Sequence, residues 1–156
     1  MRHCVPLLVG FLALSACTGA GAKSARTVDV AHVPITSTDG TSTDLARLAG
    51  GKPVVVSLWA PWCEGCRDEE PALVRLEELA RSRKDFVLVS VAIGTTASEL
   101  PSPAPKYARY LDSGAFADYG ARRVPATLVL GRDGKIVYEG GALDRAALDA
   151  LDAAVR

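Results

Sequence analysis

Six consecutive residues, Val54-Val55-Val56-Ser57-Leu58-Trp59, form an apolar, β-rich run, and four positions beyond it the chain reads Cys63-Glu64-Gly65-Cys66. Such a run has no alternation that would leave one face in water, so it reads as a central strand covered on both faces. Gly50-Gly51-Lys52-Pro53 marks its start. Residues 86–93 repeat the pattern and read as a second buried strand. Between the two, Ala72, Leu73, Leu76, Leu79 and Ala80 recur at helical spacing. Strand, helix, strand, with a helix long enough to cross over, implies parallel pairing and an α/β core.

Further along, Ala126-Thr127-Leu128-Val129-Leu130 and Lys135-Ile136-Val137-Tyr138 flank Gly131-Arg132-Asp133-Gly134. That is an antiparallel hairpin whose Asp-Gly supplies the turn. Asp144 is placed to cap a final helix that buries Ala147, Leu148, Leu151, Ala154 and Val155 on one face. At 156 residues and 49% hydrophobic, the chain has material for one core and one folded domain. Lys and Arg total 18 against 18 Asp and Glu, so no net charge favours nucleic acid or an acidic membrane surface. No stretch approaches the ~20 apolar residues of a membrane-spanning helix.

Residues 1–16 begin with Arg2 and His3, continue through an apolar run from Val5 to Leu14 and end in small residues, the layout of an export signal. They are expected to stand outside the fold. Leu14-Ser15-Ala16-Cys17 resembles a bacterial lipobox, which implies that Cys17 becomes the lipidated first residue of the mature protein. The plainer reading is an ordinary secretory signal with Cys17 incidental. Thr18 stands where Asp would favour the inner membrane. Residues 17–27 then read as a lipidated Cys and a flexible Gly/Ala/Ser tether, and residues 28–156 as the domain.

Of the four cysteines, Cys4 leaves with the signal and Cys17 carries the lipid, so Cys63 and Cys66 remain. One close pair in an exported chain is no disulfide scaffold, and a bridge across two residues closes too small a loop to stabilise much. Chemistry explains the pair better. Zinc requires about four ligands, and His32 is the only other soft donor of the mature chain, so no metal is expected. Haem attachment requires a His after the second Cys, where Arg67 stands.

The segment Trp59-Ala60-Pro61-Trp62-Cys63-Glu64-Gly65-Cys66-Arg67-Asp68-Glu69-Glu70-Pro71 closely resembles the TlpA/ResA-like branch of exported thioredoxin-like proteins. Tyr119-Gly120-Ala121-Arg122-Arg123-Val124-Pro125-Ala126-Thr127 is similar to that family's cis-proline loop, and residues 132–137 to its following hairpin. The resemblance implies a thioredoxin-like α/β fold, a central mixed sheet flanked by helices. Cys63, at a helix start where free N–H groups and the helix dipole favour a thiolate, is then the nucleophile. Cys66, one turn on, is the resolving thiol. Trp62 lies on the rim and Trp59 in the core, while Val124 and a cis Pro125 meet the substrate. The only redox group implied is the Cys63–Cys66 disulfide itself, with no separate cofactor. The activity implied is an envelope-tethered thiol-disulfide oxidoreductase reducing disulfides of exported proteins, for instance apocytochrome c or copper-site proteins. It would draw electrons from a membrane thiol donor and face the periplasm or cell exterior from a lipid anchor. Two other readings stay open: a thiol peroxidase, whose nucleophile sits in a Thr-containing context that Trp59-Ala60-Pro61-Trp62 lacks, and a non-catalytic metal-delivery or binding module. The chain departs from the family at Gly65, where Pro is frequent, and at residues 95–106, where Pro101, Pro103 and Pro105 leave little room for a crossover helix.

At ~100° per residue, Glu69 falls between Leu73 and Leu76 on the apolar face of the first long helix, and Glu70 about 60° beyond Leu73. Glu69 therefore points inward, one turn below Cys66, and matches the Glu of the family's C-x-x-C-x-x-E-x-P pattern. A partly desolvated carboxyl there has a raised pKa and can exchange a proton with Cys66. The alternative is an exposed glutamate stabilised by the helix dipole, with its pKa lowered.

Overall fold

The computed structural model describes residues 29–102, 107, 110–116 and 123–156. The expected export segment, Cys17 with the expected tether, Val28, and the stretches 103–106 and 119–122 of the segments singled out above lie outside the described residues. The strands are β1 (Pro34–Ser37), β2 (Ser42–Asp44), β3 (Val54–Trp59), β4 (Val87–Ala92), β5 (Tyr110–Asp112), β6 (Ala126–Leu130) and β7 (Ile136–Gly140). The described helices are α1 (Leu45–Ala49), α2 (Glu64–Arg83) and α3 (Arg145–Val155). The strands make one sheet in the order β2-β1-β5-β4-β3-β6-β7. β3 pairs in parallel with β4 from Val54↔Val87 to Trp59↔Ala92. On its other edge β3 pairs antiparallel with β6 from Val54↔Leu130 to Leu58↔Ala126, so the sheet is mixed.

All six residues of β3 are buried because the strand has neighbours on both edges and cover on both faces. Side chains alternate, so Val54, Val56 and Leu58 pack with Val89, Val91, Leu128 and Leu130 against Leu45 and Ala49 of α1. Val55 and Trp59 face the opposite way, beneath α2 and α3. On that side the core divides in two. Trp59, Cys63, Cys66, Leu73 and Tyr107 form one cluster, and Val55, Leu76, Phe86, Val129, Ala147 and Leu151 the other. Three buried hydroxyl residues share the α2 face in register across the sheet, Ser90 and Thr127 each opposite Ser57.

Asp144 caps α3 as expected: its Oδ1 accepts from the Ala147 N–H at 2.9 Å and from the Tyr138 hydroxyl at 2.9 Å. The Asp-Gly turn is also present. Gly134 has φ +76°, and a Cβ there would stand 2.9 Å from Ala31 Cβ, so the turn admits only glycine. After β4, the described part of residues 95–106 holds a 3-10 turn, Ala97–Glu99, capped by Thr96.

Several expectations need correction. Leu79, placed with the apolar recurrence of the long helix, is 41% exposed, and Leu148 of α3 is 36% exposed. Each lies at the margin of a stripe whose centre, Leu73 and Leu76 in α2 and Ala147 and Leu151 in α3, is buried. In α3, Ala154 and Val155 are half-buried. The second strand stops at Val87–Ala92, and β7 runs further, to Gly140, than residues 135–138 suggested. β1, β2, α1 and β5, of three to five residues each, carry too few repeats to register as periodicity.

The stripe boundary on α2 is testable by urea unfolding. Leu76→Ala, emptying a buried site, is expected to cost about 2–5 kcal/mol. Leu79→Ala, at the wet margin, is expected to cost under about 1 kcal/mol. Equal losses would place Leu79 in the core after all.

Candidate active site

Strand β3 ends at Trp59, and the chain turns through Ala60-Pro61-Trp62 before α2 begins. The Cys63 N–H donates to the Ala60 carbonyl at 3.0 Å, closing that turn. Cys63 is the N-cap of α2: its backbone is extended, and its Sγ accepts from the Cys66 N–H at 3.1 Å. A disulfide joins Cys63 to Cys66 across a Cα separation of 5.3 Å. Cys63 is 6% exposed and Cys66 3%, whereas Trp62 beside them is 68% exposed. Trp59 is buried and meets Tyr107 edge-on, ring centroids 5.6 Å apart. Its indole Nε1 has no hydrogen-bond partner among the described residues.

The loop before β6 approaches from the other side. The Val124–Pro125 peptide is cis. A Cβ on Gly65 would lie 3.7 Å from Pro125 Cδ, so the proline ring stands directly against the Cys-x-x-Cys turn. Val124 packs against the cysteine cluster and against the core on the far face of the sheet. Trp62, Cys63, Cys66, Val124 and Pro125 thus gather at the C-terminal end of β3 and the start of α2. Cys17 lies outside the described residues.

Glu69 is half-buried on α2 and Glu70 is exposed, the orientation their angular positions imply. Pro71 sits within α2 without ending it. Burial pushes the Glu69 carboxyl above its ordinary range, and a backbone hydrogen bond from the Leu143 N–H to its Oε1 opposes that shift. Tyr107 is pushed up to about 12 by burial and by the charges of Glu70 and Glu69. Tyr107 and Leu143 were not apparent in the sequence. Tyr107 follows a proline-broken stretch with no periodicity, and Leu143 contributes a main-chain group that no residue type announces. The arrangement offers a partly sheltered sulfur pair, an exposed aromatic contact and an inward carboxyl with raised proton affinity. Among the described residues no group of three or more His, Cys, Asp or Glu is arranged to hold a metal ion. No described helix is long and apolar enough to cross a membrane.

Comparison with known proteins agrees with this geometry. The chain is 31% identical over 97 residues to the thioredoxin-like protein YneN of Bacillus subtilis, covering 56% of this chain and 55% of that protein. It is 34% identical over 98 residues to the thiol:disulfide interchange protein CycY of Rhizobium leguminosarum, covering 57% of this chain and 50% of that one. It therefore spans about half the length of these curated relatives. Among solved structures, the exposed lipoprotein thioredoxin Etrx1 of Streptococcus pneumoniae superposes with a TM-score of 0.64 at 22% identity, over 77% of this chain and 97% of that one. The fold is thioredoxin-like. The Redoxin family model matches residues 20–151, a span that contains both cysteines, Glu69 and the cis-proline, and the chain belongs to the Redoxin family.

Proposed function

We propose that this protein is a thiol-disulfide oxidoreductase of the TlpA/ResA-like kind that reduces disulfides of exported proteins. The observation that carries the reading is the Cys63–Cys66 disulfide at the N-cap of α2, with Pro125 and the exposed Trp62 beside it. In the dithiol state, the Cys66 N–H that now donates to Cys63 Sγ, together with the helix dipole, favours its thiolate. That thiolate attacks one sulfur of a client disulfide; the other client sulfur leaves as a thiolate, and a mixed disulfide forms. Cys66 then gives its proton to the Glu69 carboxylate, attacks Cys63 Sγ and expels the second client thiolate. Two electrons pass to the client, and the Cys63–Cys66 disulfide remains. A membrane thiol donor restores the dithiol. Trp62 supplies contact area, and the main chain of Val124, beside Pro125, is available to pair with an extended client segment. Similarity to CycY, a thiol:disulfide interchange protein, supports this reaction class.

The same proposal places the protein in the cell envelope, exported by residues 1–16 and anchored through lipid on Cys17, with disulfide-containing envelope proteins such as apocytochrome c or copper-site proteins as clients. Its support is the signal layout and the lipobox resemblance of Leu14-Ser15-Ala16-Cys17. Cys17→Ser is expected to release the protein from the membrane fraction while leaving its thiol chemistry in solution intact. Unchanged membrane attachment would point to a different anchor.

The division of labour between the sulfurs has a direct assay. Reduced protein at neutral pH should be alkylated at Cys63 before Cys66, should reduce insulin disulfides, and as Cys66→Ser should accumulate mixed disulfides with its clients. Faster alkylation of Cys66, or no insulin reduction, would defeat the reading.

The Glu69 assignment predicts two pH effects. Glu69→Gln changes the pH dependence of thiol-disulfide exchange, while Glu70→Gln, altering an exposed group, leaves it nearly unaltered. Because burial holds the folded-state pKa of Glu69 above the unfolded one, this residue adds stability in acid that is lost as pH rises through its folded pKa. The stability difference between Glu69→Gln and the unaltered protein should therefore shift in favour of the variant as urea unfolding is repeated from acid to neutral pH. A difference constant across that range contradicts the buried-carboxyl account.

A further inference from the structure

The hydrogen bond from Leu143 to Glu69 joins residues 74 positions apart, and the fold explains why that N–H is available. Strand β7 ends at Gly140, so Leu143 is past the last ladder position. Asp144 is the N-cap of α3, so Leu143 also precedes the helix and its N–H has no place in the helical ladder. Its side chain is half-buried and packs against both apolar clusters of the α2 face, which fixes the main chain beside α2. The next residue closes the loop, because the Asp144 carboxylate is engaged by the Ala147 N–H and the Tyr138 hydroxyl. A donor held from both sides is a rigid reference point for a flexible glutamate.

We propose that the main-chain N–H of Leu143, presented by the loop between β7 and α3, is a positioning group that holds the Glu69 carboxylate inward, beneath Cys66. The inference rests on the oxidoreductase reading, with Glu69 as the acceptor of the Cys66 proton. A glutamate on the second turn of a helix has three rotatable side-chain bonds and water within reach. Left alone, an ionised carboxylate turns toward solvent, because burial penalises its charge. The Leu143 N–H offsets that penalty at one inward position through a charge-assisted hydrogen bond.

The charged neighbours leave this donor without a rival among the described residues. On α2, Arg67, Asp68 and Glu70 are exposed. Tyr107, which feels the charge of Glu69, stays neutral at physiological pH. From the loop, the Asp144 carboxylate is already committed to its two donors. Among the described residues no cation forms an ion pair with Glu69; burial raises its proton affinity and the Leu143 N–H lowers it.

The unaltered full chain provides the first test. An amide bonded to a carboxylate changes its proton and nitrogen shifts as that carboxylate ionises. In the reduced protein the Leu143 amide signal is expected to titrate with the same midpoint as the side-chain carboxyl carbon of Glu69, and to lose this titration in Glu69→Gln. A Leu143 amide that does not move as Glu69 titrates overturns the proposal. The second test replaces Leu143 by its α-hydroxy analogue, which exchanges the N–H for an ester oxygen and keeps the side chain. The resolving step should then have its midpoint at higher pH and run about tenfold slower at a fixed pH below the original midpoint, the factor that one charge-assisted hydrogen bond supplies. An unshifted profile in the ester protein, with Glu69→Gln still altering the profile, overturns the positioning role alone. If Glu69→Gln leaves the resolving step unaltered, the base assignment fails and the inference falls with it, while insulin reduction still reports on the oxidoreductase reading.

Discussion

Strand β3 is hydrogen-bonded along both edges, parallel to β4 and antiparallel to β6, and is roofed on both faces. A strand held in this way has almost no freedom to shift, since a slip of one residue would exchange Val54, Val56 and Leu58 for Val55, Ser57 and Trp59 against the wrong neighbours. Its C-terminal end is consequently one of the best-defined places in the molecule, and there the chain turns into Cys63. The parallel pairing with β4 obliges a crossover, and α2 is that crossover. The cysteine pair thus sits at the junction of the most constrained strand and the helix that its pairing demands.

The surroundings of the pair set two opposing tendencies. The helix start offers the Cys66 N–H to Cys63 Sγ, which favours negative charge on sulfur. Half-burial of Glu69 disfavours negative charge on its carboxyl, in the second turn of the same helix. The hydrogen bond from the Leu143 N–H to Glu69 opposes that effect of burial. Trp59 and Tyr107, set edge to face, are buried in the same cluster as the disulfide.

Much of this was legible in the chain. The β3 run, the helical recurrence of Leu73 and Leu76, the Asp-Gly hairpin and the Asp144 cap are local patterns, each set by neighbours within a few residues. The inward face of α2 on which Glu69 sits is a matter of helix geometry. Leu79 and Leu148 were misplaced for a related reason: spacing shows where the apolar stripe runs but not how wide a strip its partner covers. The short elements β1, β2, α1 and β5 escaped because none carries enough residues to repeat a pattern.

The α/β core, the Cys63 and Cys66 pair at a helix start and a carboxyl on the inner side of the helix below them can be read from the chain alone, because backbone periodicity and the spacing of three or four residues on a helix are local physics. Tertiary structure decided the strand order, the seating of the Val124–Pro125 loop against Gly65, the meeting of Trp59 with Tyr107 and the gift of the Leu143 N–H to Glu69. Each of these joins parts of the chain far apart in sequence. Which such parts meet depends on how whole faces pack together, and the last of them uses a main-chain donor that every residue except proline possesses.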